Sequence, residues 1–104
     1  MEIIKEKTEE GILFHVNGEI DLFNVDLLNN SVKEELEQGN LHITMDLSQA
    51  NYLDSSGIGV LISLKTIIKR LQGKFIIVNI NQDIKNLFVM TNLADFFSIP
   101  KNEL

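Results

Sequence analysis

Ile12, Phe14 and Val16 lie on one side of an alternating segment, as a half-buried strand requires. Ile3 to Lys7 is a second strand candidate just before it, and Thr8-Glu9-Glu10-Gly11 supplies the turn that makes the two a hairpin. After Gly18-Glu19-Ile20-Asp21 the period changes. Val25, Leu28, Val32 and Leu36 recur at helical spacing, with Asn24 as N-cap and Gly39-Asn40 as the stop. Leu41 to Leu47 alternates again, with Leu41, Ile43, Met45 and Leu47 on one face. An extended segment, Ala50 to Leu53, then hands over to a strongly apolar helix running from about Ser56 to Leu71, closed by Gly73. Ile58, Leu61, Ile62 and Ile68 make one stripe of that helix; Val60, Leu64, Ile67 and Leu71 make another, which predicts burial of much of its first half.

Phe75-Ile76-Ile77-Val78 is an unbroken apolar run, the pattern of a parallel strand covered on both faces. Asp83 to Thr91 reads as a short helix with Ile84, Leu87 and Phe88 inward, and Asn92 suits the left-handed position that ends it. A helical turn over Leu93 to Phe97 leads into a last strand, Phe97-Ser98-Ile99, ended by Pro100. The order implies an α/β fold. Its mixed sheet begins with an antiparallel pair and continues with parallel strands joined by right-handed crossover helices, all in one domain over residues 1–104. Sites in such folds favour the carboxyl ends of strands, where the Asp54-Ser55-Ser56 turn falls.

Composition narrows the chemistry. The 104 residues carry no cysteine and two histidines, so disulfides and thiolate metal sites are excluded. The formal charge of -6 argues against nucleic acid and anionic membrane surfaces and in favour of protein partners. No apolar run approaches the roughly 20 residues of a membrane span and no signal peptide is recognisable, so a cytoplasmic protein without membrane insertion is expected. Lys65, Lys69, Arg70 and Lys74 gather near the end of the central helix, where cations complement the dipole on a solvated face. A Gly-x-Ser-x-Gly elbow and a Gly-Lys-Ser/Thr phosphate loop are both missing, and His15 and His42 fall on strands. An enzyme is therefore not expected, nor is a metal or a cofactor.

Ser55 and Ser56 stand where backbone N–H groups lack intrahelical partners and the macrodipole is positive. They serve there either as caps or as carriers of an anion. Gly57 and Gly59 each cost about 1 kcal/mol in a helix relative to alanine. Their use is either close packing on the sheet or a low surface that a partner can approach, the second being the expectation for Gly57. An acyl carrier protein is also modified on a serine after an aspartate at a helix start, but is a helical bundle, which the strands at Ile12–Val16 and Phe75–Val78 contradict.

Three segments together resemble the STAS family (sulfate transporter and anti-sigma factor antagonist), in its partner-switching branch. Gly18-Glu19-Ile20-Asp21 is similar to the family's Gly-Glu-Leu-Asp, Tyr52-Leu53-Asp54-Ser55-Ser56-Gly57-Ile58-Gly59-Val60 to its phosphorylation segment, and Lys85 to Leu93 to its late helix. The resemblance implies an anti-sigma factor antagonist with the STAS fold. Its unphosphorylated form would bind an anti-sigma factor that is itself a serine kinase, and so release the sigma factor. Phosphorylation at Ser55 would end binding, and a PP2C-type serine phosphatase would reset the switch. The partner surface implied comprises Asp21, Asp54, Ser55, Ser56, Gly57, Ile58 and Gly59, with Asp54 shaping the acceptor turn, Ser56 mainly a cap and Asp21 a nearby loop carboxylate. The alternative is a constitutive STAS interaction module of a transporter or lipid-trafficking complex. Two departures stand out: the family's C-terminal helix would begin where Asn102-Glu103-Leu104 lies, and Leu22-Phe23 is more apolar than in some members. Exposed, Leu22 and Phe23 suit docking; buried, they staple the first helix, and burial is expected.

Overall fold

The row of Ile12, Phe14 and Val16 becomes the centre of the sheet in a computed structural model that describes residues 1–99. Strand β2 (Ile12–Ile20) pairs antiparallel with β1 (Glu2–Lys7), around a turn in which the Thr8 N–H donates to the Gly11 carbonyl at 2.8 Å. β2 runs four residues beyond the predicted Val16, and that length has a purpose. Its first half pairs in parallel with β3 (His42–Asp46), and its end pairs in parallel with β4 (Ala50–Leu53) after an irregularity at Gly18/Glu19. β5 (Lys74–Val78) adds to β3, giving the order β1-β2-β3-β5 with β4 on the end of β2.

Register aligns Ile12 with Ile43 and Phe75, and Phe14 with Met45 and Ile77, so that three parallel strands present continuous apolar rows. Helices α1 (Val25–Glu37) and α2 (Ser55–Arg70) bury Val25, Leu28, Val32, Leu61, Leu64 and Ile68 in the same cluster. The two expected stripes of α2 resolve into one buried line, Gly57, Leu61, Leu64 and Ile68, at helical spacing. Leu71 lies outside. The opposite sheet face carries Ile4, His15, Asp46 and Val78 in one row, at most half-buried. β5 is therefore covered on one face, and the expectation of two covered faces fails at Ile76 and Val78. An apolar run says that side chains tolerate burial, without saying that a helix lies over them.

On that open face His15 Nδ1 lies 3.0 Å from Asp46 Oδ2 and Nε2 lies 3.5 Å from Glu6 Oε2. Burial pushes the Asp46 carboxyl up, but hydrogen bonds from Ser48 and His15 outweigh it and hold the group below the usual range. At the α1 edge the Lys5 ammonium donates to Glu35 Oε2 at 3.1 Å and lowers that carboxyl; burial opposes the effect and Asn40 adds to it. Of the basic group, Lys69 and Arg70 do sit in the last turn of α2. Lys65 differs: it donates to the Phe96 carbonyl, lies 5.2 Å from the Phe96 ring centroid, and burial pushes its ammonium down.

Helix ends show how little the exact residue matters and how much the geometry does. Gln72, not Gly73, takes the left-handed position after α2, with φ 62, and the Gly73 N–H closes on the Ile68 carbonyl at 2.8 Å. Gly73 is small for another reason, since a Cβ there would meet the Leu41 carbonyl. α3 (Gln82–Met90) begins at Asn81, whose Oδ1 accepts from the Ile84 N–H, and ends at Asn92 with φ 58, as expected. The predicted strand Phe97-Ser98-Ile99 is absent. Hydrogen bonds from Phe97, Ser98 and Ile99 to the carbonyls of Leu93, Asp95 and Ala94 coil the segment instead. Phe97 still reaches the core, 5.3 Å from the Phe88 ring, because a turn can bury alternate residues as a strand does. Pro100 and the Asn102-Glu103-Leu104 segment lie outside the described residues.

Candidate functional site

β4 ends at Leu53, and the chain turns into α2 on the side chain of Asp54. Asp54 is the N-cap, with extended backbone, and its Oδ1 accepts from the Gly57 N–H at 3.0 Å. The helix thus starts one residue earlier than predicted. Capping belongs to Asp54, and Ser56 lies half-buried inside the first turn. Aspartate wins because its carboxylate is both a cap acceptor and an anion at the positive end of the dipole. Ser55, the first helical residue, is exposed.

The second oxygen of Asp54 reaches another segment. Oδ2 accepts from the Leu22 N–H at 3.3 Å, while the Asp54 N–H donates to the Ile20 carbonyl at 3.3 Å. Parallel pairing of Ile20 with Leu53 brings the two segments together. Among the described residues Asp21 makes no hydrogen bond to Ser55: its Oδ1 accepts from the Phe23 N–H at 3.0 Å, and its carbonyl accepts from Asn24 and Val25. Asn24 occupies the cap position of α1 but does not cap it; its side-chain amide donates to the Glu19 carbonyl at 3.0 Å. That bond and the Asp21 turn set the approach to α1. They leave Leu22 67% and Phe23 91% exposed, which overturns the expected staple.

The expectation of an open surface at Gly57 fails, and Gly59, for which packing and access both stood open, is the accessible one. Gly57 is buried, and a Cβ there would lie 2.8 Å from the Ile20 carbonyl oxygen and against Leu53 Cδ1. Its missing side chain lets α2 lie on the ends of β2 and β4, so it is not an open surface for a partner. Gly59 is exposed with nothing within 4 Å of its would-be Cβ, and Ile58 between them is half-buried. An accessible strip remains: Asp54, Ser55, Ser56, Ile58 and Gly59, with Asp21, Leu22 and Phe23 beside it.

Charge along the two segments that carry this strip has one sign. No lysine or arginine occurs from Gly18 to Val32 or from Met45 to Leu64, whereas Glu19, Asp21, Asp26, Asp46 and Asp54 do. Among the described residues no group of three or more His, Asp or Glu is placed to hold a metal ion. No described helix is long and apolar enough to cross a membrane. What the site offers is one exposed hydroxyl at a helix N-terminus, beside a carboxylate already using one of the first-turn N–H groups.

The STAS domain family model matches residues 2–103. The chain belongs to the STAS domain family. Its sequence is 28% identical over 94 residues to the anti-sigma-B factor antagonist of Bacillus subtilis, covering 90% of this chain and 85% of that protein. It is 25% identical over 100 residues to the anti-sigma-B factor antagonist of Listeria monocytogenes, covering 96% and 88%. The fold superimposes on the phosphorylated form of the Bacillus cell fate determinant SpoIIAA with a TM-score of 0.73 at 21% identity, covering 90% and 86%. The mixed sheet with its antiparallel start is the fold of that family. What sequence reasoning missed at the site is the bond between Asp54 and Leu22, which only the pairing of β2 with β4 makes possible.

Proposed function

We propose that this STAS protein is an anti-sigma factor antagonist controlled by phosphorylation of Ser55. The unmodified form binds an anti-sigma factor that is a serine kinase, and so frees a sigma factor for transcription. The observation that carries the reading is the exposed Ser55 hydroxyl on the first residue of α2, flanked by the capping carboxylate of Asp54. The names of the Bacillus and Listeria relatives support the class of partner, and SpoIIAA supports phosphorylation as a state available to the fold. The kinase moves the γ-phosphoryl of ATP to Ser55 Oγ, releasing ADP, while the hydroxyl proton leaves to a base of the kinase.

The product carries about -1.5 to -2 extra charge. A helix N-terminus stabilises a phosphate locally, so the fold tolerates modification. The partner does not. A dianion beside Asp54, on a surface already acidic, must be desolvated or placed against whatever the partner presents to the unmodified serine, including the catalytic acid of its kinase site. A PP2C-type phosphatase removes the group and restores binding, in the cytoplasm. Non-enzymatic action follows, since the chain is the substrate of each step.

The test is phosphorylation by the purified anti-sigma factor kinases of the same genome, with the site mapped by peptide mass spectrometry. Incorporation at Ser55, lost in Ser55→Ala and kept in Ser56→Ala, is expected. Modification at Ser56 alone, or none with any of these kinases alongside a constant membrane-transport partner in cells, would sink the switch.

A further inference from the structure

Among the six phenylalanines, Phe14, Phe75, Phe88 and Phe97 are buried and Phe96 is 39% exposed, but Phe23, at 91%, stands almost wholly in solvent beside Leu22. We propose that Leu22 and Phe23 are the apolar anchor with which this protein docks its anti-sigma factor, entering an apolar pocket rimmed by lysine and arginine. The inference rests on the partner assigned above and adds the residues and chemistry that select it.

The anchor is held ready. Leu22 N–H is bonded to Asp54, Phe23 N–H to Asp21, Asn24 N–H to the Asp21 carbonyl and the Asn24 amide to Glu19. A loop tied by four hydrogen bonds over three successive residues loses little further freedom on docking, so most of what burying an aromatic ring contributes reaches the affinity. It is also continuous with the acceptor. The carboxylate that holds Leu22 is the one that caps the helix carrying Ser55, so a partner seated over Ser55 reaches the anchor without a gap.

Charge selects the occupant. Glu19, Asp21, Asp26 and Asp54 surround the anchor in sequence and in the Asp54 bridge, with no cation in either segment. A second copy of this chain would set one acidic rim against another at a net charge of -6 each. A basic rim on a different protein is complementary, and steers encounter as well.

The experiment is calorimetric titration of the purified serine-kinase anti-sigma factors of the same genome with wild type, Phe23→Ala, Leu22→Ala and Leu71→Ala, plus Ser55→Asp. Leu71 is exposed too, but lies just past the far end of α2 from Ser55, and serves as the control. Phe23→Ala is expected to weaken binding about 30-fold or more, as an anchor residue does, with Leu22→Ala weaker by about 5-fold and Leu71→Ala unchanged. The exposure of Phe23 means that its truncation leaves the melting temperature unmoved, so lost folding does not imitate lost docking. Wild-type affinity in Phe23→Ala, or sedimentation showing that Phe23 instead drives self-association, overturns the anchor. If Ser55→Asp weakens binding while Phe23→Ala does not, the switch stands and the anchor falls; the converse removes the switch and keeps the anchor. Wild type binding none of these factors removes both.

Discussion

Gly57 and Gly59 are two residues apart on one helix, and the structure expects opposite outcomes when each becomes alanine. Both substitutions gain helix propensity, by at most about 1 kcal/mol. At Gly59 nothing lies within 4 Å of the new methyl, so the gain is kept. At Gly57 the methyl arrives 2.8 Å from the Ile20 carbonyl oxygen, a backbone atom bonded to Asp54 that cannot rotate away, and against Leu53 Cδ1. Such overpacking costs about 1–3 kcal/mol. The propensity gain cancels between the two variants, so Gly57→Ala should unfold about 1–3 kcal/mol more easily than Gly59→Ala. For a domain of this size that is a gap of at least about 4 °C in melting temperature. Urea titrations of wild type and both variants measure it, with an unchanged slope showing that only stability has moved. Equal midpoints for the two variants would refute the close approach of α2 to the end of β2, and with it the geometry that places Ser55.

Asp54→Ala removes both the cap on Gly57 and the tie to Leu22; a loss of about 2 kcal/mol is expected, with faster amide exchange at Leu22, while Asp54→Asn keeps most of the cap. Glu35 and Asp46 have lowered carboxyl pKa values in the folded state, so each contributes stability above the ordinary carboxylate range, lost as pH falls through the folded value. The stability gap between wild type and Lys5→Met should accordingly narrow from pH 7 toward pH 3 in urea unfolding, because protonated Glu35 no longer needs its cation. Gln72→Gly should stabilise by about 0.5–1 kcal/mol, since φ 62 costs glutamine what it does not cost glycine, and a thermal melt reads it directly.

Period and spacing made most of the fold legible. Alternation marked β2 and β3, and helical recurrence marked α1 and α2, because burial on one face leaves that imprint regardless of what lies opposite. Longer-range facts left weaker traces. Nothing in Phe75-Ile76-Ile77-Val78 states that only one face is covered, and Asn24 looks like a cap until the Glu19 carbonyl competes for its amide. Phe97 and Ile99 read as a strand because turns also bury alternate residues.

At the site, the Asp-Ser-Ser-Gly segment was readable as a helix start, but the division of labour within it was not. A carboxylate outcompetes a hydroxyl for the cap, which leaves Ser55 free, and only the carbonyl of Ile20 reveals what Gly57 is for. Leu22 and Phe23 were the least readable pair. Apolar residues before a helix are more often buried, and their exposure depends on bonds to Asp21 and Asp54 that a linear pattern does not contain.

In the proposed switch, one phosphate on Ser55 ends binding without disturbing the fold. Calorimetric titration of the proposed anti-sigma factor kinase with unmodified and with stoichiometrically Ser55-phosphorylated protein, alongside melting curves of both, reads the two effects separately. Tight binding by the unmodified form, loss by at least about 100-fold on phosphorylation (near 2.7 kcal/mol), and nearly equal melting temperatures are predicted. Equal affinity of the two forms, or a phosphorylated form that has simply unfolded, would contradict it.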